Sequence, residues 1–142
     1  MEHDTDAGRW IERYAGVALG AAFLSAVASR FGLWDGRPWQ TAFAAFVGYT
    51  GEVNAFMPAA VIPWLAWSAT LAETAFGTLL IAGLLTEWAA AGSAVLLALF
   101  GTAMAASQGP KSPLDYSVFS ASAAALLLAD RLWRRRRSAA RN

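Results

Sequence analysis

Three stretches of this chain contain no charged side chain: residues 14–29, 53–72 and 88–110. A soluble surface helix of that length would have to turn a polar face to water once every 3.6 residues, and residues 88–110 have no such face. They do meet the requirement of a bilayer, where about 20 mostly apolar residues, each rising 1.5 Å, cross the hydrocarbon. Across all 142 residues, 57% are hydrophobic and only 15% charged, against about 25% charged in ordinary soluble domains. Composition therefore excludes a disordered chain and argues against a soluble globular domain.

Four windows are long enough to span: residues 10–34, 64–86, 88–106 and 114–133. Trp10, Tyr14, Trp34, Trp64, Trp67, Trp88, Tyr116 and Trp133 lie near their ends, where amphipathic rings settle at headgroup depth. The expected fold class is all-α, one integral membrane domain built as a four-transmembrane-helix bundle. It would carry a polar tail over residues 1–9, including a solvated His3, and a basic tail over 134–142. Ala26-Val27-Ala28 has the small-residue form of a signal-peptide cleavage site, but the acidic start and the long apolar stretch disfavour cleavage. Six of the eleven Lys/Arg fall in the last twelve residues, and Arg9 and Arg13 precede the first window. With an even number of spans, the positive-inside rule puts both termini in the cytoplasm of a bacterial inner membrane. The Arg134–Arg137 run serves this anchoring first; binding to anionic lipid or nucleic acid is the sharper alternative, and nothing else in the chain favours nucleic acid.

The connection between the first two windows is too apolar for a plain loop. Trp39, Phe43, Phe46 and Val47 recur on one helical face, and Gly48-Tyr49-Thr50-Gly51 breaks the pattern before Val53, Asn54, Phe56 and Met57. Residues 39–57 are expected to form an interfacial or re-entrant helix across the outer mouth of the bundle. A fifth span is disfavoured by Gly48, Gly51 and Glu52.

In lipid, helices associate through small residues that let backbones approach. Gly16 and Gly20 form a G-x-x-x-G on the first window, and alanine-rich faces occur at 89–94 and 121–125. Glu73 stands apart. It lies roughly 13 Å into the second window at 1.5 Å per residue, where an unpaired carboxylate costs a few kcal/mol. It should therefore face the bundle interior, paired or protonated, with Arg30 as the best basic partner. Ser29, Thr70, Thr102, Ser117 and Ser120 fall at similar depth, and Ser107, Gln108, Lys111, Asp115 and Tyr116 lie just above. Three readings stay open: an Arg–Glu pair that fixes helix register, a pocket for a lipophilic molecule with a polar head, and an ion path. The last is weakened by the lack of a second carboxylate at mid-depth.

The chain has no cysteine and one histidine. Disulfide, iron–sulfur and thiolate chemistry are excluded, and no metal site is expected within the bundle.

Taken in order, Phe23-Leu24-Ser25-Ala26-Val27-Ala28-Ser29-Arg30-Phe31-Gly32-Leu33-Trp34, Tyr49-Thr50 with Asn54, Ala69-Thr70-Leu71-Ala72-Glu73-Thr74-Ala75-Phe76-Gly77, Leu79-Leu80-Ile81-Ala82-Gly83-Leu84-Leu85-Thr86 and the stretch from Gly109-Pro110-Lys111 to Ser122 resemble the DoxX family of small four-helix membrane proteins. Glu87 departs from the pattern, since the family often has a basic residue there. The resemblance implies a place beside redox or stress-response partners, as in the small subunit of thiosulfate:quinone oxidoreductase. It points to Arg30, Asn54, Glu73, Lys111 and Asp115 as pocket residues.

The expectation is a membrane subunit that binds a quinone or another lipophile and works with a redox partner, without electron-carrying groups of its own. Its candidate pocket comprises Arg30, Asn54, Trp64, Trp67, Thr70, Glu73, Lys111, Asp115 and Tyr116; no catalytic residue is assigned. Expected partners are membrane lipids and either a protein partner in a membrane complex or further copies of the chain. The alternative is a non-catalytic accessory or assembly subunit.

Overall fold

A computed structural model describes residues 2–141, with side chains from residue 6 onward, so the His3 side chain lies outside the described residues. The elements are α1 (Glu2–Arg30), α2 (Trp39–Val53), a 3₁₀ turn (Ala59–Val61), α3 (Ile62–Ala82), α4 (Thr86–Gln108), α5 (Lys111–Asp115) and α6 (Val118–Ala139). No strand occurs among the described residues. Three segments are long and apolar enough to cross a membrane, Asp6–Arg30, Ala59–Ala82 and Thr86–Gln108, consistent with a multi-pass membrane protein.

The ends of these helices follow local chemistry. Pro63 lies in the first turn of α3, where its missing N–H removes no helical hydrogen bond. Gly83 closes α3 in the left-handed region at φ 73°, the conformation that glycine adopts at least cost. At Gly32 (φ 72°) a Cβ would stand 2.1 Å from the Arg37 carbonyl oxygen, so the α1–α2 turn admits only glycine.

The four long helices alternate in direction. Gly20 meets Gly77 so closely that a Cβ on Gly20 would lie 2.8 Å from the Gly77 carbonyl oxygen. The G-x-x-x-G of α1 thus brings two backbones together, as small residues do in lipid. Gly92 of α4 takes the Phe76 ring and Gly101 takes the Phe119 ring. Ala66, Leu80, Ala90, Ser93, Ala125 and Ala129 have no exposed surface, whereas Trp10, Leu71, Val95, Leu99 and Leu127 are each more than 60% exposed. Small residues inside and large apolar ones outside reverse the water-soluble pattern and suit an apolar solvent.

Two sequence expectations change. Residues 39–57 do not break at Gly48–Gly51, because helix α2 runs through both glycines to Val53. Thr50 Oγ1 donates to the Phe46 carbonyl (2.8 Å) and Asn54 Nδ2 to the Thr50 carbonyl (2.9 Å), which hold its last turns. Residues 114–133 are not one helix either. Tyr116 and Ser117 interrupt the window, Ser117 being left-handed at φ 54°. Beyond it, α6 continues through the arginines to Ala139, so residues 134–139 of the basic tail are helical. Arginine is a good helix former, and Arg134 Nε pairs with Asp130 at 2.7 Å one turn back. The uncharged part of α6 ends at Ala129, and α6 is therefore not among the three spanning segments. Helicity likewise begins at Glu2 within the expected polar tail.

Candidate functional site

Arg30 occupies the last turn of α1, and Thr70 and Glu73, three residues apart, project from one face of α3. All three are buried: Arg30 is 8% exposed and Glu73 2%. The Arg30 Nη2 lies 2.8 Å from Glu73 Oε1 and 2.7 Å from Oε2. Only Oε1 accepts a hydrogen bond, so Oε2 is buried in ionic contact with no donor aligned on it. Arg30 Nη1 donates to Thr70 Oγ1 at 3.1 Å. Thr70 can accept because its own proton goes to the Ala66 carbonyl at 2.8 Å.

Helix α2 supplies the roof. The Arg30 guanidinium carbon stands 3.8 Å from the Phe46 ring centroid, a cation–π contact strengthened where water is absent. Phe43, one turn earlier, lies 4.4 Å from the Trp67 ring and 6.0 Å from Phe46, and Phe31 stacks on Phe43 at 6.2 Å. A polar core of opposite charges is thus wrapped in aromatic rings.

Of the nine residues read from the sequence, the structure joins Arg30, Thr70 and Glu73 directly and connects Trp67 to Arg30 through two aromatic rings, Phe43 and Phe46. Asn54 is occupied at the end of α2. Trp64 is 75% exposed and Tyr116 73%, both directed outward. Lys111 and Asp115 pair with each other across one turn of α5, both exposed. The pocket residues over α5 are therefore not assembled around Glu73, because a pair four residues apart satisfies itself locally. Phe46 and Phe43 were visible only as one face of an apolar helix, with nothing to reveal that the face covers a guanidinium.

A second polar centre lies at the opposite end of the helices. Glu12 Oε1 accepts from Arg131 Nε (2.9 Å) and Oε2 from Arg135 Nη1 (2.5 Å). Arg13 donates to the Leu80 carbonyl at 3.2 Å and the Ile81 carbonyl at 2.5 Å, meeting unsatisfied carbonyls at the end of α3. Glu87 of α4 pairs with Arg136 of α6, and Trp88 packs edge-on against Trp133 at 5.6 Å. Glu87 is thus matched by an arginine of the same chain. Between α1, α6 and the α3–α4 turn lies a cleft of about 240 Å³ lined by Arg9, Glu12, Arg13 and Arg135. The sequence hinted at it only through Arg9, Glu12 and Arg13 standing among Trp10 and Tyr14.

No group of three or more metal-ligating side chains occurs among the described residues. No family model, curated protein or solved structure matches the chain.

Proposed function

We propose that the chain is a DoxX-like membrane subunit whose Arg30–Glu73 centre binds the polar head of a quinone or similar lipophile, with electron transfer supplied by a partner protein. The observation that carries this reading is Glu73 Oε2, buried in ionic contact with Arg30 Nη2 at 2.7 Å but with no hydrogen-bond donor aligned on it. That oxygen can still accept an aligned hydrogen bond, and a hydroxyl of a reduced quinone would supply one. A carbonyl of the oxidised form would accept from Arg30, while Phe43, Phe46 and Trp67 would flank the ring.

The reading includes four crossings. Helix α6 lies antiparallel along the length of α4, from Arg136 beside Glu87, through the Ser122 hydroxyl on the Ala94 carbonyl at 2.7 Å, to Phe119 at Gly101. If α4 crosses the membrane, α6 must share its depth. Its arginines can carry their charges to the interface on long stems. The arginine-rich end then faces the cytoplasm of a bacterial inner membrane, and α2 lies across the outer mouth.

A second reading is supported by the closure of the pair under Phe46 and by the Gly20–Gly77 contact. Here Arg30–Glu73 fixes the register of α1 on α3, and the chain serves as an accessory subunit of a larger complex. Titration of a soluble ubiquinone analogue into the detergent-extracted protein, followed by Trp67 fluorescence against a Trp67→Phe control, separates the two. The first reading expects saturable quenching that Glu73→Gln and Thr70→Val abolish while helicity is retained. Quenching unchanged in both variants would overturn it.

A further inference from the structure

Among the described side chains, guanidinium groups outnumber carboxylates in the cleft at the arginine end. Three guanidinium groups line it, those of Arg9, Arg13 and Arg135, against one carboxylate, Glu12. Glu12 is itself consumed: both oxygens are bound, by Arg131 and Arg135, and the residue is 9% exposed. Its effect is to hold Arg135 in place across the α1–α6 interface. Arg13 is held equally firmly by the two carbonyls at the end of α3. Two of the three cations are therefore pre-positioned by the fold, and each keeps further N–H groups that these bonds do not use. Arg9 completes the rim, paired among the described residues with the exposed Asp6.

Depth identifies the anion. The cleft opens between the helix turns that carry Trp10, Tyr14 and Trp88, which are 75%, 77% and 62% exposed. Exposed Trp and Tyr rings mark the headgroup layer, and the anion concentrated there is phosphate. Guanidinium forks suit phosphate oxygens. A volume of about 240 Å³ equals roughly eight waters at their liquid share, which accommodates a phosphodiester with part of its glycerol.

We infer that this cleft is a site for a phosphate ester, supplied by an anionic phospholipid whose headgroup enters between α1, α6 and the α3–α4 turn. This is separate from the Arg30–Glu73 centre and from general attraction of the Arg134–Arg137 run to an anionic surface. The distinction can be measured, because Arg134 pairs with Asp130 on α6 and is not part of the cleft.

The test is titration of short-chain phosphatidylglycerol into the full chain in a non-ionic detergent, with phosphatidylcholine and inorganic phosphate as separate arms. Binding is read by native mass spectrometry and by the melting temperature. The expected result is saturable retention of phosphatidylglycerol and not of phosphatidylcholine. Arg9→Gln and Arg135→Gln should each weaken it about tenfold, the loss of one charge-assisted hydrogen bond, while Arg134→Gln leaves it unchanged. Equal loss in Arg134→Gln and Arg135→Gln would overturn the site in favour of diffuse attraction. Binding of inorganic phosphate with the same arginine dependence, and no preference for the lipid, would overturn the phospholipid as its source. Arg9 carries no interhelical bond in the structure, so its variant keeps the test valid should Arg135→Gln loosen the fold.

Discussion

Replacing Glu73 by alanine should destabilise the folded protein by about 3 kcal/mol, and the structure indicates why the figure is neither smaller nor larger. The substitution leaves Arg30, 8% exposed, without its counter-charge. Removing one member of a buried pair costs about 3–5 kcal/mol in general, mostly through the stranded charge. Insertion scales assign about 2.5–3.5 kcal/mol to an arginine at the centre of a membrane helix. Two contacts hold the cost near the lower bound: Arg30 keeps Thr70 Oγ1 at 3.1 Å and the Phe46 ring at 3.8 Å. A cation–π contact shielded from water retains up to about 2 kcal/mol of favourable interaction. Arg30 also stands at the last turn of α1, from which its long stem could reach the interface. Removing both charges with Arg30→Met/Glu73→Leu should recover most of the loss, since matched apolar replacements of buried pairs are commonly neutral or better. The assay is reversible unfolding in mixed micelles of rising SDS fraction, followed by circular dichroism, for wild type, both single variants and the double. Refutation would be a Glu73→Ala variant within 0.5 kcal/mol of wild type, or a double variant as damaged as the sum of its parts. Either outcome would mean that the two charges are not coupled as drawn.

Other consequences separate positions that composition alone treats alike. Gly20→Ala would press a Cβ to 2.8 Å from the Gly77 carbonyl oxygen, whereas a Cβ at Gly48 meets nothing within 4 Å. In the same SDS assay Gly20→Ala should cost about 1–3 kcal/mol through overpacking, and Gly48→Ala should gain about 0.5–1 kcal/mol of helix propensity. Asp35, in the exposed α1–α2 turn, accepts from the Arg37 backbone N–H at 3.2 Å and from its Nε at 2.6 Å, and these bonds hold its carboxyl below the usual carboxylate range. Because the folded value is the lower one, the turn gains from this bond above the unfolded value and loses it as pH falls through the folded value. A carboxyl NMR titration should show the depression partly relieved in Arg37→Ala. Glu87→Gln should cost about 1 kcal/mol, because Glu87 is 12% exposed but solvent screens its partner Arg136, which is 68% exposed; near-UV circular dichroism should show the Trp88–Trp133 contact intact.

How much of this could be read beforehand depended on whether one residue alone imposed the constraint. A carboxylate within a span must find a partner, and Glu73 had a single well-placed basic candidate, so their pairing was legible from the sequence. Its roof was not, because the periodicity of Phe43 and Phe46 defines a face without naming what the face meets. Gly48 and Gly51 count as helix breakers by a rule drawn from water. In apolar surroundings a helix keeps its backbone bonds because nothing else offers to satisfy them, so α2 runs on. Lys111 and Asp115 lay at the expected depth but were free to satisfy each other within α5, and a pocket argued from depth alone could not foresee that.

The two polar centres nonetheless follow one rule applied at two depths. Arg30 and Glu73 cancel to no net charge, as the low dielectric between the helices demands. Around Glu12 the described arginines outnumber the carboxylates, and need not be matched one for one, since Arg131 and Arg135 are 57% and 45% exposed and solvent screens them. Each carboxylate has the same mechanical effect: Glu73 ties α1 to α3 at one end of the molecule, and Glu12 ties α1 to α6 at the other. Helix α1 is therefore fixed at both ends by ion pairs and in the middle by the Gly20–Gly77 contact. A ligand that replaced Arg30 as the partner of Glu73 would release one of these three ties while leaving two in place. Occupation of the Arg30–Glu73 centre should accordingly loosen the α1–α2 turn alone, visible as faster backbone amide exchange over residues 31–38 with exchange around Glu12 unchanged. Uniform exchange along α1 on ligand binding would show that the ties do not act independently.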